Sequence, residues 1–272
     1  MHNFLSYDRR FMDYEGSEDC MGRTLWSCGY VTASNLPPEK QAIGKEIFDN
    51  LLPWAYYFKS PRSNAYTTIG LRYYQEAYPK DQNLRKHIIG FTTKLLRQYK
   101  AERSKDWHWF EPYLTYANGR LPHALFEAYH ESKKDNSLQA AKESIDFLLE
   151  VQLIDDIFIP IGNRGWYKKG EKRAMYDQQS LEAAAMTEAA IAAFRETGDA
   201  KYESASQKIF NWFHGKNTFN LAVYNSSTGG CYDGLTQKGL NLNMGAEAIA
   251  CYLSAALEMQ CLYDTSITVS QS

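Results

Sequence analysis

The sequence has no strongly basic segment and no long apolar run. Its 272 residues carry a net formal charge of −2, and no run of Lys and Arg interleaves with aromatic residues. The longest apolar run without a charge, residues 248–257, is too short to span a bilayer. Residues 1–10 lack the apolar stretch of a secretory signal. We therefore expect neither a nucleic-acid partner nor a membrane partner.

Cysteine is scarce, and the five cysteines do not indicate a disulfide or zinc framework. Their number is odd and no Cys-x-x-Cys motif occurs. Cys20, Cys28 and Cys251 fall in segments predicted as buried helices, where a thiol packs as a small hydrophobic group. The sequence also lacks an HExxH motif, a glycine-rich phosphate loop and a GxSxG motif. We therefore expect no metal, no cofactor and a reducing, cytoplasmic location.

Aromatic residues, by contrast, are abundant, with 20 Tyr, 13 Phe and 6 Trp. Aromatic rings contribute large apolar areas to a core. Rings in polar loops can instead line a cleft and stack on the flat faces of a ligand such as a sugar. The composition leaves both interpretations open for the tryptophans in loops.

Two kinds of helix alternate along the chain. Small-residue helices are predicted to begin near residues 19, 64, 119, 179 and 244, and amphipathic helices near residues 38, 81, 136 and 201. The repeat of about 45–65 residues indicates stacked helical hairpins, in an open solenoid or a closed toroid. Long polar and aromatic loops precede the small-residue helices, and these favour the toroid. In one of these loops, residues 152–177, the segments 157–160 and 165–167 are expected to form a short hairpin.

The predicted architecture is all-α, an (α/α) toroid of helical hairpins. A single domain is expected over residues 1–262, with a polar tail at residues 263–272. The nine predicted helices are fewer than the twelve of a six-hairpin ring. The ring is therefore expected to be short at its N-terminus, and an upstream domain or a second copy of the chain would complete it.

Five stretches carry a resemblance to a known family: SEDCMGRTLW (residues 17–26), DWHWFE (106–111), NGRLP (118–122), YDQQ (176–179) and NMGAE (243–247). With them the chain resembles the six-hairpin (α/α)6-toroid glycosidase superfamily. It is most similar to a bacterial group encoded as, or fused to, glycosyltransferase-like proteins of mannoside metabolism. The resemblance covers about residues 5–262. It implies a carbohydrate-active toroid that binds an oligosaccharide or monosaccharide.

Four carboxylates, those of Asp19, Asp106, Glu111 and Asp177, are candidates for catalysis. Hydrolysis of a glycosidic bond uses two carboxyl groups, one as acid and one as base or nucleophile. Asp19 with Glu111 or Asp106 is the pair that we consider first. Asp177 precedes the alanine-rich helix, so a helix-capping role is the alternative for it.

Candidate substrate-binding residues lie beside these acids. Arg23 follows Asp19 by four residues, which predicts an ion pair on one helix face. Trp107 and Trp109 share a face if their loop is extended. Asn243 can alternatively cap the last helix, and Arg120 can pair with Glu111. The full set is Glu18, Arg23, Trp26, Trp107, Trp109, Arg120, Trp166, Tyr176, Gln178, Asn243 and Glu247.

The favoured function is that of a cofactor-independent glycoside hydrolase-like enzyme with paired carboxylates. A sugar epimerase or isomerase is an alternative, with His108 and His123 as acid and base. A non-catalytic carbohydrate-binding or glycosyltransferase-associated module is a third, from a different class. The sequence does not identify the sugar or the linkage.

Overall fold

The computed structural model describes the backbone of residues 1–270 and the side chains of residues 1–264. All nine predicted helices are present, and their starts lie within three residues of the predicted ones. The helices are α1 (Glu18–Ala33), α2 (Pro38–Ala55), α3 (Pro61–Ala77), α4 (Gln82–Glu102), α5 (Arg120–Ser132), α6 (Asp135–Gln152), α7 (Ser180–Thr197), α8 (Ala200–Phe210) and α9 (Ala246–Ser270). The all-α class is therefore confirmed.

The C-terminal helix is longer than expected. Helix α9 continues to Ser270, into the segment predicted as a polar tail, and residues 271–272 of that tail lie outside the described residues. Within the described chain, no helix combines the length and the apolar character needed to cross a membrane.

Short antiparallel strands lie in the loops between helices. They are β1 (Tyr113–Leu114), β2 (Leu153–Ile154), β3 (Ile157–Phe158), β4 (Tyr167–Lys168), β5 (Gln178–Gln179), β6 (Tyr224–Asn225), β7 (Gly230–Cys231), β8 (Gly234–Thr236) and β9 (Gly239–Asn241). The hairpin predicted from residues 157–160 and 165–167 is wrong, because β3 pairs with β2 and β4 pairs with β1. Strands β5, β8 and β9 form the one three-stranded sheet of the described residues.

Tertiary contacts divide the chain into two compact units. Unit 1 comprises Met1–Ala101 and Ala124–Ala140, and unit 2 comprises Glu102–His123 and the described part of Ala141–Ser272. Helices α5 and α6 each contribute residues to both units. The single domain expected over residues 1–262 stays a prediction.

Unit 1 is built on the close approach of two small-residue helices, α1 and α3. A Cβ atom at Gly29 would lie 2.1 Å from the carbonyl oxygen of Gly70, so the two backbones are in direct contact. On its other side α1 packs against α2 around a core that includes Leu25, Phe48 and Leu71. Glycine is required at Gly29 because any side chain there would force the helices apart.

Unit 2 is built around helix α7, which is buried from Ser180 to Ala193. The helix packs against α8 and α9, and its alanines leave room for both neighbours. Its buried Glu182 accepts hydrogen bonds from the backbone N–H of Asn118 at 2.9 Å and from the Gln152 side chain at 3.1 Å. These bonds tie the start of α5 and the end of α6 to α7, as expected for a helix that is buried on every face.

Unit 2 also contains a buried ion pair. Arg120 forms a two-pronged pair with Glu188, and both side chains are almost wholly buried. Ser254 donates a hydrogen bond of 2.9 Å to Glu188, and His123 Nδ1 lies 3.4 Å from Arg120 Nη1. Burial opposes ionisation of Glu188, but the charge of Arg120 and the hydrogen bonds outweigh it and lower the pKa of Glu188.

The first prediction concerns the contact between α1 and α3. Gly29→Ala is expected to lower the free energy of unfolding by about 1–3 kcal/mol, because the added methyl group meets the Gly70 carbonyl. Gly90→Ala on α4 is the matched control, since a Cβ there meets nothing within 4 Å. The control should raise stability by about 0.5–1 kcal/mol. Urea unfolding measures both, and equal midpoints for the two variants would contradict the proposed contact.

The second prediction concerns the buried pair. Glu188→Gln leaves the Arg120 charge buried without its counter-ion, so it should cost about 3–5 kcal/mol. Lys208→Ala, which breaks an exposed pair with Asp156, should cost less than about 1 kcal/mol. Thermal unfolding at neutral pH compares the two variants.

The same pair predicts a pH dependence. The pKa of Glu188 is lower in the folded protein than its ordinary value of 4.5. The contribution of the carboxylate to stability is therefore complete above pH 4.5 and is lost as the pH falls through the folded pKa. The wild type should lose more stability on acidification than Glu188→Gln does. Parallel loss in the two proteins would show that other groups cause acid unfolding.

Candidate functional site

A polar cavity of about 330 Å³ lies in unit 2, where β5, β8 and β9 meet the first turns of α7 and α9. Three carboxylates line it, those of Asp177, Asp233 and Glu247. Side chains that both donate and accept hydrogen bonds complete the polar lining: Asn163, Gln178, Gln179, Ser180, Thr236 and Asn241. The predicted residues Asp177, Gln178 and Glu247 are therefore brought together.

The sheet that forms one wall depends on a glycine. Gly234 has a φ of +143°, and a Cβ atom there would lie 1.9 Å from the carbonyl oxygen of Gln178. Only glycine allows β5 and β8 to approach so closely in this conformation. In this antiparallel pairing Asp177 lies beyond the Gln178–Leu235 end of the two strands and Asp233 beyond the Gln179–Gly234 end, and both residues line the cavity.

Asp177 is positioned by the loop that contains Asn163 and Arg164. The N–H of Asn163 donates to the carbonyl oxygen of Asp177 at 2.9 Å, and Arg164 Nε donates to Asp177 Oδ2 at 3.1 Å. The other carboxylate oxygen, Oδ1, is buried and has no hydrogen-bond partner among the described residues. The alternative capping role is not observed, because the N-cap of α7 is Gln179.

Asp233 is held at the start of α9. Its Oδ1 accepts a hydrogen bond of 2.7 Å from the N–H of Gly245, and its Oδ2 accepts one of 2.5 Å from the Asn243 side chain. The Asp233 N–H in turn donates to the carbonyl oxygen of Asn243 at 2.9 Å. Asn243, predicted to bind substrate or to cap the helix, therefore fixes the orientation of a carboxylate. Glu247, in the first turn of α9, is exposed.

Gln178 lines the cavity, but its side-chain amide is already hydrogen-bonded to other residues of the protein. It is 1 % exposed, and its Oε1 accepts a hydrogen bond of 3.0 Å from the indole of Trp212. Its Nε2 lies within donating distance of Met175 O at 3.2 Å and Thr218 Oγ1 at 3.3 Å. The hydroxyl-binding role predicted for this amide would require these bonds to break.

The tryptophans of the 106–111 loop belong to the core. Trp107 is 3 % exposed and Trp109 is 0 % exposed, so neither ring has a free face for a sugar. An antiparallel bridge between Ser104 and Trp107 turns the loop inwards, and Trp107 Nε1 donates to the carbonyl oxygen of Glu111 at 2.8 Å. Their predicted stacking role is therefore corrected to a packing role. Asp106 is exposed on the same loop.

Arg120 and His123 also belong to the buried interior of unit 2. Arg120 pairs with Glu188, not with Glu111, and this buried pair is not part of the cavity lining. The predicted contact between Arg120 and substrate is therefore replaced by a structural ion pair. His108 is half-buried against Phe147, with ring centroids 6.4 Å apart.

Trp166 and Tyr176 precede Asp177 in the chain. Trp166 is half-buried with its ring 6.3 Å from that of Tyr116, and Tyr176 lies 5.7 Å from Phe219. Both rings are partly exposed, so they stay proposals for stacking on a ligand.

Four further predicted site residues lie in unit 1, namely Glu18, Asp19, Arg23 and Trp26. Arg23 Nε donates to Asp19 Oδ2 at 2.7 Å, which confirms the predicted ion pair. Arg23 lies 4.9 Å from the centre of the Tyr66 ring, on which Trp26 also stacks. Asp19 and Arg23 line a second, more open cavity of about 430 Å³. The pairing of Asp19 with Glu111 or Asp106 of unit 2 stays a prediction.

Glu18 has a structural role. Its carboxylate accepts hydrogen bonds from the backbone N–H groups of Lys59 and Ser60 at 2.9 and 2.8 Å, which anchors the loop between α2 and α3. Ser17 caps α1 by accepting a hydrogen bond from the N–H of Cys20. No group of three or more His, Cys, Asp or Glu suited to a metal ion occurs in the residues described.

Asp233 is the residue that the sequence analysis missed. It lies in a long irregular segment between α8 and α9, and only its Asp-Gly dipeptide marks it as a turn. Its hydrogen-bond partners are Asn243 and Gly245, ten and twelve residues later, and Asp177, which lines the same cavity, lies more than fifty residues earlier. No local pattern predicts such a pairing.

No protein-family model matches the sequence, and no curated protein matches it. Solved structures do share its fold. A GH76 alpha-mannanase of Bacteroides thetaiotaomicron is 14% identical to this chain, with a TM-score of 0.63. The match covers 91% of this chain and 69% of the mannanase chain. A D-mannose isomerase is 12% identical, with a TM-score of 0.65. The match covers 95% of this chain and 77% of the isomerase chain.

A third structure, an unsaturated glucuronyl hydrolase specific for heparin, is 14% identical with a TM-score of 0.65, covering 95% of this chain and 71% of its own. At such low identities the similarity concerns the fold alone. The three structures are of the (α/α)6-toroid type, and the predicted α/α-toroid fold class is thereby confirmed.

Proposed function

We propose that this chain is a carbohydrate-active enzyme that hydrolyses a glycosidic bond at the cavity of unit 2. The observation that carries the proposal is the set of carboxylates from Asp177, Asp233 and Glu247 around one polar cavity. Carboxylates and amides are the groups that bind sugar hydroxyls, and paired carboxylates are the groups that cleave glycosidic bonds.

Asp177 is the catalytic carboxylate in this proposal, and Asp233 or Glu247 is its partner. One carboxylic acid donates its proton to the glycosidic oxygen as the bond from carbon to oxygen breaks. The second, ionised carboxylate takes a proton from the attacking water, or attacks the sugar itself. Asp177 suits a reacting role because its Oδ1 has no protein partner in the described chain.

The structural comparisons support this choice of substrate class. The three proteins of similar fold are named a mannanase, a mannose isomerase and a glucuronyl hydrolase, and all three names refer to sugars. The resemblance to toroids associated with glycosyltransferase-like proteins of mannoside metabolism makes mannosides the first substrates to test. An isomerase that uses His123 is less well supported, because His123 lies beside the buried pair of Arg120 and Glu188 and not in the cavity lining.

The third prediction tests Asp177. Asp177→Asn should reduce turnover of a cleaved aryl mannoside or mannooligosaccharide by about 10²–10⁴-fold, because the amide cannot transfer the proton. Asp156→Asn is the matched control, since Asp156 is an exposed acid of the same unit outside the cavity lining. The control should keep wild-type activity. Release of reducing ends measures turnover, and circular dichroism checks folding.

Other outcomes would contradict the proposal in distinct ways. Wild-type turnover in Asp177→Asn, with loss in Asp19→Asn, Asp106→Asn or Glu111→Gln, would move the chemistry to the carboxylates first predicted. Incorporation of solvent deuterium into a monosaccharide, abolished in His108→Ala or His123→Ala, would indicate an isomerase. Binding of glycans without turnover across the panel would indicate a binding module.

A further inference from the structure

The charged side chains that line the unit 2 cavity are all acidic. They are Asp177, Asp233 and Glu247, and none of the described lining residues is Lys, Arg or His. Among the described residues, one cation is bonded to this set from outside the lining, Arg164, whose Nε contacts Asp177. Arg164 is 69% exposed, so solvent screens its charge. With one of the three carboxyl groups protonated as the general acid of the proposed function, and with the exposed Arg164 discounted, the formal charge of the site is −2.

Two helix N-termini offset part of this charge. The first turns of α7 and α9 line the cavity, and each helix end is equivalent to about half a positive charge. At α9 the N–H of Gly245 is already committed to Asp233. The two helix ends together therefore supply at most about one positive charge, which is less than the remaining negative charge.

The hydrogen-bonding groups of the cavity lining also favour an uncharged ligand over an anionic one. A carboxylate only accepts hydrogen bonds, so the lone pairs of Asp177, Asp233 and Glu247 that face a ligand can bond only to ligand donors. Sugar hydroxyl groups supply donors, whereas a ligand carboxylate or phosphate supplies acceptors. The amides of Asn163, Gln179 and Asn241 accommodate either polarity and do not compensate a negative ligand.

We propose that this cavity selects uncharged sugars and rejects uronates and sugar phosphates. This inference rests on the proposed function, because it takes the cavity to be the sugar site. The fold does not settle the choice, since one structure of similar fold is named for a glucuronyl substrate. The lining residues of this chain, and not the fold, set the selectivity.

The experiment compares pairs of ligands that differ at carbon 6, where one member is neutral and the other carries an anionic group. Methyl glucoside is paired with methyl glucuronide, methyl galactoside with methyl galacturonide, and mannose with mannose 6-phosphate. Dissociation constants for the full chain are measured by titration with NMR detection at low salt. In the pairs that bind, the uncharged member should bind on the order of tenfold more tightly. Raising the ionic strength should narrow the difference, because salt screens the repulsion.

A charge-removing variant tests which groups cause the selectivity. Glu247→Gln keeps the shape of the side chain and removes one negative charge from the lining. The affinity for the charged member of each pair, relative to the uncharged member, should rise several-fold. Glu171→Gln is the matched control, because it makes the same change at a 63% exposed acid outside the lining. In the control the ratio should stay at its wild-type value.

Three results would overturn the inference. If uronides or sugar phosphates bind as tightly as their uncharged partners, the inference is wrong but the proposed function still stands. An equal change of the ratio in Glu247→Gln and Glu171→Gln would assign the selectivity to net charge and not to the cavity. Failure of every sugar in the panel to bind would overturn both the inference and the proposed function.

Discussion

The structure depends on the direct contact of helix backbones inside each unit. In unit 1, Gly29 of α1 lies against Gly70 of α3, and in unit 2, Gly119 lies so close to α7 that a Cβ there would be 2.3 Å from the Ala185 carbonyl oxygen. Side chains larger than hydrogen cannot occupy such contacts. The small-residue helices therefore become the buried ones, and the amphipathic helices pack on them.

This packing decides which polar residues are free to bind a ligand. A helix buried on all faces cannot leave a charge unpaired, because an unpaired buried charge costs several kcal/mol. Glu182 of α7 accordingly accepts hydrogen bonds from Asn118 and Gln152, and Glu188 accepts them from Arg120. Acidic residues in the loops that precede the helices are less buried, so pairing of their charge is less strictly required. Asp177 and Asp233 can therefore line a cavity.

The helices were predictable from the sequence because their signals are local. Alanine-rich or amphipathic periodicity and the breaks at Pro37 and Gly198 fall within single segments, and the predicted starts agree with the observed ones. The direction in which a loop side chain points is not a local property. The inward turn of Trp107 depends on its bridge to Ser104, and Asp177 and Asp233 line one cavity although they lie more than fifty residues apart in the chain.

The two aspartates of the cavity differ in how the protein holds them, and this difference bears on their roles. Both oxygens of Asp233 accept hydrogen bonds from the protein, whereas Oδ1 of Asp177 has no partner in the described chain. A pair of carboxyl groups acts as acid and base only when their surroundings differ. A carboxylate with both oxygens engaged is suited to orienting a hydroxyl or a water. Asp177, which keeps one oxygen without a protein donor, is therefore the better candidate for the group that exchanges a proton with the substrate.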